Sequence, residues 1–244
     1  MSQLNEKVVL ITGASSGIGE AIATELGKAG ATVVLGARRL ERLQSTVETI
    51  EAAGGTARAR RLDVTVREDV EAFVAHAKDE FGHVDVLINN AGIMPLSPLR
   101  ALKVDEWEQM IDVNIRGVLN GIAAVLPIMD EQGHGHVVNV ASIGAHRVSP
   151  TAAVYCATKY AVWAISEGLR QESDSLRVTV ISPGVVTSEL ADTITDESAR
   201  ELMGEYRSVA IGPDAIAGAV RFAIEQPEDV NVREIIVGPT ANSN

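Results

Sequence analysis

Tyr155 and Lys159 lie four positions apart in a stretch of helical character, so both side chains project from one face of a helix. A cation beside a phenol favours the phenolate and draws its pKa down from about 10, each unit being worth roughly 1.4 kcal/mol. A tyrosine tuned in this way passes a proton near neutral pH. Ser142, 13 positions earlier, closes an apolar run with a hydroxyl. Near the start of the chain, residues 12–19 read TGASSGIG; they follow Val8-Val9-Leu10-Ile11 and run into Ile18, Ile22 and Leu26 at helical spacing. The turn therefore sits where a strand hands over to a helix, where backbone N–H groups and the helix N-terminus hold a pyrophosphate. A nucleotide turn together with a tuned proton donor is the equipment of a hydride-transfer enzyme.

Such residues need a scaffold, and the pattern supplies one. Short β-branched runs at 8–12, 32–36, 57–61, 84–89, 136–142, 177–182 and 234–238 alternate with longer amphipathic stretches. Seven strands with intervening helices predict an α/β fold, a doubly wound, Rossmann-like parallel sheet with helices on both faces. With no linker or repeat, the 244 residues read as a single domain over 1–244. The stretch 188–209 has no strand signal and follows Ile181-Ser182-Pro183-Gly184 at a strand's carboxyl end. It reads as a substrate-covering loop, although its Asp, Glu, Thr and Ser content also fits a short helix pair.

Hydrophobic residues make up 46% and aromatic ones 3%, so the core must be aliphatic. The balance of 21 basic against 33 acidic side chains, a formal charge of −12, opposes nucleic acid and anionic membrane surfaces. No apolar run of about 18 residues suggests a membrane span. A single cysteine, Cys156, and no charged-then-apolar leader point to the cytoplasm. Cys156 reads as a small packed residue facing away from its neighbour Tyr155. Gly133-His134-Gly135-His136 is a turn into a strand, and with no Cys or carboxylate cluster beside it no metal is expected. His76 and His83 read as surface residues.

These motifs, in this order, resemble the short-chain dehydrogenase/reductase family in its one-domain form, and the resemblance spans almost the whole chain. TGASSGIG resembles the family's cofactor turn and Asn89-Asn90-Ala91-Gly92 its NNAG element. Ser142, Tyr155 and Lys159 match its Ser, YxxxK set, and Asn114 falls at its fourth catalytic position. The resemblance implies that Tyr155 is the acid in reduction and the base in oxidation, and that Ser142 hydrogen-bonds the substrate oxygen. It also implies that Lys159 tunes Tyr155 and binds the nicotinamide ribose, and that Asn114 positions a water linking the lysine to solvent. The implied cofactor contacts are Gly13, Ser15, Ser16, Gly17, Ile18 and Gly19 in the turn, Asp63 and Val64 after the third strand, and Asn90, Ala91 and Gly92 after the fourth. Tyr155, Lys159, Pro183, Gly184 and Val186 join them, with Thr187 or Ser188 on the nicotinamide amide.

At the end of the second strand a dinucleotide fold carries an acid for the ribose 2′-hydroxyl or an arginine for a 2′-phosphate. Here no Asp or Glu occurs between Thr32 and Leu40, and Arg38 and Arg39 stand there instead, which favours NADP (NADPH) over NAD, with Arg38 the stronger candidate. Alternatively the two arginines simply begin a solvated helix. Asp63 fits the adenine amino group, or else caps the next helix, a part for which Thr65 is better suited.

Residues expected to border the substrate are Met94, Pro95, Leu96, Ser142, Ile143, Gly144, Ala145, His146, Val148, Tyr155 and Gly184, with His146 or Arg147 available to anchor a hydroxyl or carboxylate. Mostly apolar, such a pocket suits a ketone or aldehyde better than a phosphorylated sugar. The expected activity is NADP-dependent interconversion of a small-molecule carbonyl compound and its alcohol. A 3-oxoacyl carrier-protein reductase would share every motif, but no concentrated basic run is present to receive an acidic carrier. A non-catalytic NADP sensor would be expected to lose members of the Ser, Tyr, Lys, Asn set. Two long apolar helices, 102–129 and 152–173, read as buried on more than one side. By the resemblance they pair with a second copy in a homotetramer, or else a dimer, Gly117, Gly121, Ala157 and Ala161 permitting close approach; alternatively these faces fill only the monomer's own core against the sheet.

Overall fold

In a computed structural model the chain is described over residues 4–241. The apolar runs become strands β1 (Val8–Thr12), β2 (Thr32–Ala37), β3 (Thr56–Arg61), β4 (Val86–Asn89), β5 (Gly135–Val140), β6 (Leu176–Pro183) and β7 (Glu234–Val237). They form one parallel sheet in the order β3-β2-β1-β4-β5-β6-β7. Strands β1, β4 and β6 are buried along their whole length, as a sheet covered on both faces requires. The chain reverses direction across the sheet between β1 and β4, and the crevice at their carboxyl ends is where such folds bind ligands.

One face carries α1 (Gly17–Lys28), α2 (Leu40–Ala52) and, from the far end of the chain, the helix Asp214–Ile224; Ile22, Leu26, Leu43, Ile50, Ile216 and Val220 interlock with β1 and β2 there. The opposite face carries α3 (Arg67–Phe81), α4 (Val104–Ile111), α5 (Gly117–Gln132) and α6 (Ala153–Glu172), with Phe73, Val118, Ile122, Val125, Met129 and Val162 in its core. The 188–209 segment is mostly helical, with a 3₁₀ turn at Glu189–Thr193 and α7 (Glu197–Tyr206), which is N-capped by Asp196 through a 3.0 Å bond from Ala199 N; the Asp214–Ile224 helix is thus α8.

Two expectations change here. The 102–129 helix begins at Val104 and is interrupted by a π-helical segment, Asp112–Arg116, that carries Asn114; such bulges reshape a helix around one side chain. The helical stretch Val104–Gln132 reaches the length and mean hydropathy of a membrane crossing, but Asp112 and Arg116 break its apolar run and Val118, Ile122, Val125 and Met129 pack into the core. Gly117 and Gly121 do not open a face to a second copy. A Cβ on Gly117 would stand 2.8 Å from Val64, and one on Gly121 2.3 Å from Asn89 Oδ1, so they let α5 approach the loop after β3 and strand β4 of the same chain.

Candidate active site

Position along β1 brings the TGASSGIG turn to the crevice, and its glycines are sterically compelled. Gly13 has φ +68°, and a Cβ there would meet the Ala91 backbone at 2.7 Å; at Gly19 it would lie 2.4 Å from the Gly13 carbonyl. The loop after β4 is stitched onto this turn. Thr12 Oγ1 accepts from both Asn90 N and Ala91 N at 3.1 Å, and Asn90 Nδ2 donates to the Thr12 and Gly13 carbonyls at 3.0 and 3.1 Å. The hydroxyl of Thr12 was not singled out in the sequence, because its partners lie 78 and 79 positions away.

Beyond β5, Ser142 caps a short 3₁₀ turn, Ile143–Ala145, by accepting from Gly144 N at 3.0 Å. Tyr155 and Lys159 sit one turn apart on α6, 8% and 5% exposed. Lys159 Nζ donates to the Val140 carbonyl at 2.9 Å and lies 5.8 Å from the Tyr155 ring centroid. Helix α6 is fixed to the sheet by a buried chain absent from the sequence reading: Asn89 Nδ2 donates to Asn139 Oδ1, Asn139 Nδ2 to Ser166 Oγ, and Ser166 to the Val162 carbonyl. Asn114 clamps Ile93 by both backbone groups, accepting from its N–H at 2.9 Å and donating to its carbonyl at 3.0 Å, and also donates to Thr158 Oγ1. Its visible part is to hold the 92–94 strip beside Lys159, since a Cβ on Gly92 would stand 3.4 Å from Asn114 Oδ1 and 3.7 Å from Lys159 Nζ.

Electrostatics depart from expectation. Burial pushes the Tyr155 phenol up from 10.0 to about 12; a hydrogen bond with Ser142 opposes the rise and the Cys156 thiol adds to it. Burial also draws the Lys159 ammonium down from 10.5 to about 8. The net direction for Tyr155 is thus upward, opposite to the lowering expected from a neighbouring Lys159: each group loses water on entering the cleft wall, which disfavours both charged forms, and the Lys159 ammonium is directed at the Val140 carbonyl. Burial raises the Asp63 carboxyl too, but hydrogen bonds from Thr65 and the guanidiniums of Arg38 and Arg61 win and leave it below the usual range. Thr65 spends its side chain on Asp63 at 2.7 Å and caps nothing; Val66 occupies the N-cap of α3.

These elements enclose one cleft of about 1530 Å³, roomier than the few hundred to about 1,000 Å³ of an ordinary small-molecule pocket and large enough for a dinucleotide beside a second ligand. Its walls include every expected cofactor residue except Thr187. Thr187 points outward, its backbone N–H bonded to the Ile211 carbonyl, whereas Ser188 faces the cleft. Of the expected substrate contacts, Met94, Leu96, Ser142, Ile143, Gly144, Tyr155 and Gly184 line the cleft. His146 does not. Its Nε2 lies 2.7 Å from Glu234 Oε1 and 3.3 Å from Ser182 Oγ, because the carboxylate opening β7 draws the imidazole to the sheet edge. Pro95, Ala145 and Val148 are likewise outside the lining, while Arg147 is in it. Cys156 also lines the cleft and packs with Met94, Leu96 and Tyr155, so it does not face away as expected. The segment after β6 contributes Leu190, Thr193, Met203, Tyr206 and Arg207, and Thr193 Oγ1 accepts from Met94 N at 3.3 Å.

Comparison with known proteins bears on this arrangement directly. The family described as short chain dehydrogenase matches residues 7–199. The chain belongs to that family. This short-chain dehydrogenase is 49% identical to an uncharacterized oxidoreductase of Staphylococcus saprophyticus subsp. saprophyticus over the full length of both chains. An alcohol dehydrogenase from the archaeon Thermococcus sibiricus, complexed with 5-hydroxy-NADP, superposes with a TM-score of 0.87 at 32% identity over 98% of each chain. A short-chain dehydrogenase/reductase from Burkholderia phymatum in complex with NAD gives 0.88 at 29% identity, over 97% of this chain and 90% of the other. The protein is thus an oxidoreductase whose structural neighbours hold either nicotinamide dinucleotide.

Proposed function

We propose that this short-chain dehydrogenase is an NADP-dependent carbonyl reductase or alcohol dehydrogenase, and the observation that carries the reading is the convergence of Ser142, Tyr155 and Lys159 on the wall of the nucleotide cleft. The residues present fit the cofactor: a glycine turn that a Cβ would fill, a helix N-terminus behind it, and arginines in place of an acid. When bound, the nicotinamide supplies or accepts the hydride. Ser142 holds the carbonyl oxygen and stabilises the charge that grows there, and Tyr155 delivers its proton to that oxygen. A phenol at about 12 is proton-loaded at neutral pH, the form that reduction needs. Lys159 offers its ammonium to the ribose hydroxyls, and Asn114 holds the strip it passes. The lining of Met94, Leu96, Ile143 and Gly144 suits an apolar ketone or aldehyde.

Two expectations test this reading. NADPH should support reduction with a kcat/KM at least about ten times that of NADH, a difference of about 1.4 kcal/mol, and Arg38→Ala should narrow the gap. A preference for NADH in the unmodified protein would refute the arginine reading. The second concerns assembly. Leu119 on α5, and Ala157, Tyr160 and Ala164 on α6, lie exposed on helices otherwise committed to the core, and a second exposed set, Trp163, Phe222 and Ile236, adjoins the edge strand β7. These surfaces support a homotetramer, the Ala157 face serving one two-fold contact and the β7 edge the other. Light scattering at micromolar concentration should give four times the 25.8 kDa chain mass, and a value near 25.8 kDa would refute it. The buried, unpaired thiol of Cys156 suits the cytoplasm.

A further inference from the structure

The guanidiniums at the phosphate end of the cleft already hold an anion. Arg39 donates from Nε and Nη2 to Ser15 Oγ at 3.3 and 3.1 Å, and from Nη2 to Ser16 Oγ at 2.9 Å, which locks it to the pyrophosphate turn. Its Nη1 reaches Glu189 Oε2 at 2.8 Å, while Arg42 Nη1 takes the other oxygen, Oε1. Glu189 lies 150 positions further along the chain, at the root of the 188–209 segment, and all of these side chains line one cleft. A single carboxylate thus engages two arginines with both oxygens, as a phosphate would. Hydrogen bonds from Arg42 and Arg39 hold Glu189 down to about 2, so it stays ionised throughout the physiological range.

We propose that Glu189 is a specificity-determining residue, an internal anion that occupies Arg39 and Arg42 and must yield them to the 2′-phosphate of an NADP-type adenosine, while an unphosphorylated adenosine leaves it in place. The proposal rests on the NADP reading above. It makes discrimination between the two dinucleotides weaker than two unopposed arginines would give. It also ties phosphate recognition to the segment over the substrate side, because losing the clasp frees the root of 188–209 from α2.

Calorimetric titration of the full-length protein with 2′,5′-ADP and 5′-AMP decides it. Exposed ion pairs are individually weak, so releasing two of them by Glu189→Gln should tighten 2′,5′-ADP about two- to thirtyfold and move 5′-AMP by less than about twofold. Asp192→Asn, which removes the same charge from the same segment without touching either arginine, should change neither. Equal tightening of both nucleotides by Glu189→Gln would overturn the proposal as a general charge effect. If the wild type prefers 2′,5′-ADP and Glu189→Gln leaves that preference unchanged, the proposal falls and the NADP reading stands. If neither protein prefers 2′,5′-ADP, both fall. A preference that appears only in Glu189→Gln supports the proposal and identifies Glu189 as its mask.

Discussion

Tyr155→Phe is expected to lower kcat by about a hundredfold or more, the usual worth of acid–base catalysis, while the fold and NADPH affinity persist. The substitution removes one oxygen from a ring that is 8% exposed and packed with Met94, Leu96 and Cys156, so the packing it leaves is nearly unchanged. What disappears is the proton and the hydrogen bond with Ser142. Single-turnover reduction, with NADPH binding measured separately by fluorescence, distinguishes a lost proton donor from a damaged site. Near-normal turnover would discard the assignment. In the unmodified enzyme the direction of reaction should respond to pH unequally. In the proposed mechanism reduction uses the neutral phenol and should stay flat through neutrality, whereas oxidation needs the phenolate and should rise with pH, since burial holds the phenol at about 12.

Lys159→Met should cost activity and yet stabilise the cofactor-free protein at pH 7. The ammonium ordinarily titrates at 10.5 and burial brings it to about 8, so its charged form is disfavoured in the folded state by about 3 kcal/mol. Losing its bond to the Val140 carbonyl returns about 1 kcal/mol, and for a chain of this size the net gain corresponds to roughly 4–8 °C in Tm. The sign follows from proton counting. Between pH 8 and 10.5 the unfolded lysine binds a proton that the folded one has released, so wild-type stability rises with pH across that window and is lost as pH falls through about 8. The advantage of Lys159→Met should therefore be full below pH 8 and gone by about pH 10.5. Scanning calorimetry of both proteins from pH 6.5 to 10 would test it, and a variant less stable at pH 7 would show that the buried charge is not costly.

What the chain decided locally, it decided in sequence. The run Val8-Val9-Leu10-Ile11 before TGASSGIG could only become a buried strand entering a glycine turn, since Gly13 and Gly19 sit where any side chain would collide. Tyr155 and Lys159 share a helix face because four residues make about one turn. The alternation of short β-branched runs with amphipathic stretches was enough for a doubly wound sheet, and its strand order places the turn, the β4 loop and Ser142 on one edge. Only the tertiary structure decided what depends on partners far along the chain. His146 leaves the substrate for Glu234, 88 positions later; Arg39 meets Glu189; and Gly117 and Gly121 admit Val64 and Asn89 of the same chain instead of a second copy. The direction of the Tyr155 shift belongs there too. Spacing places a cation beside a phenol, but burial sets the free energy of each charged form, and burial is a property of every element packed around them.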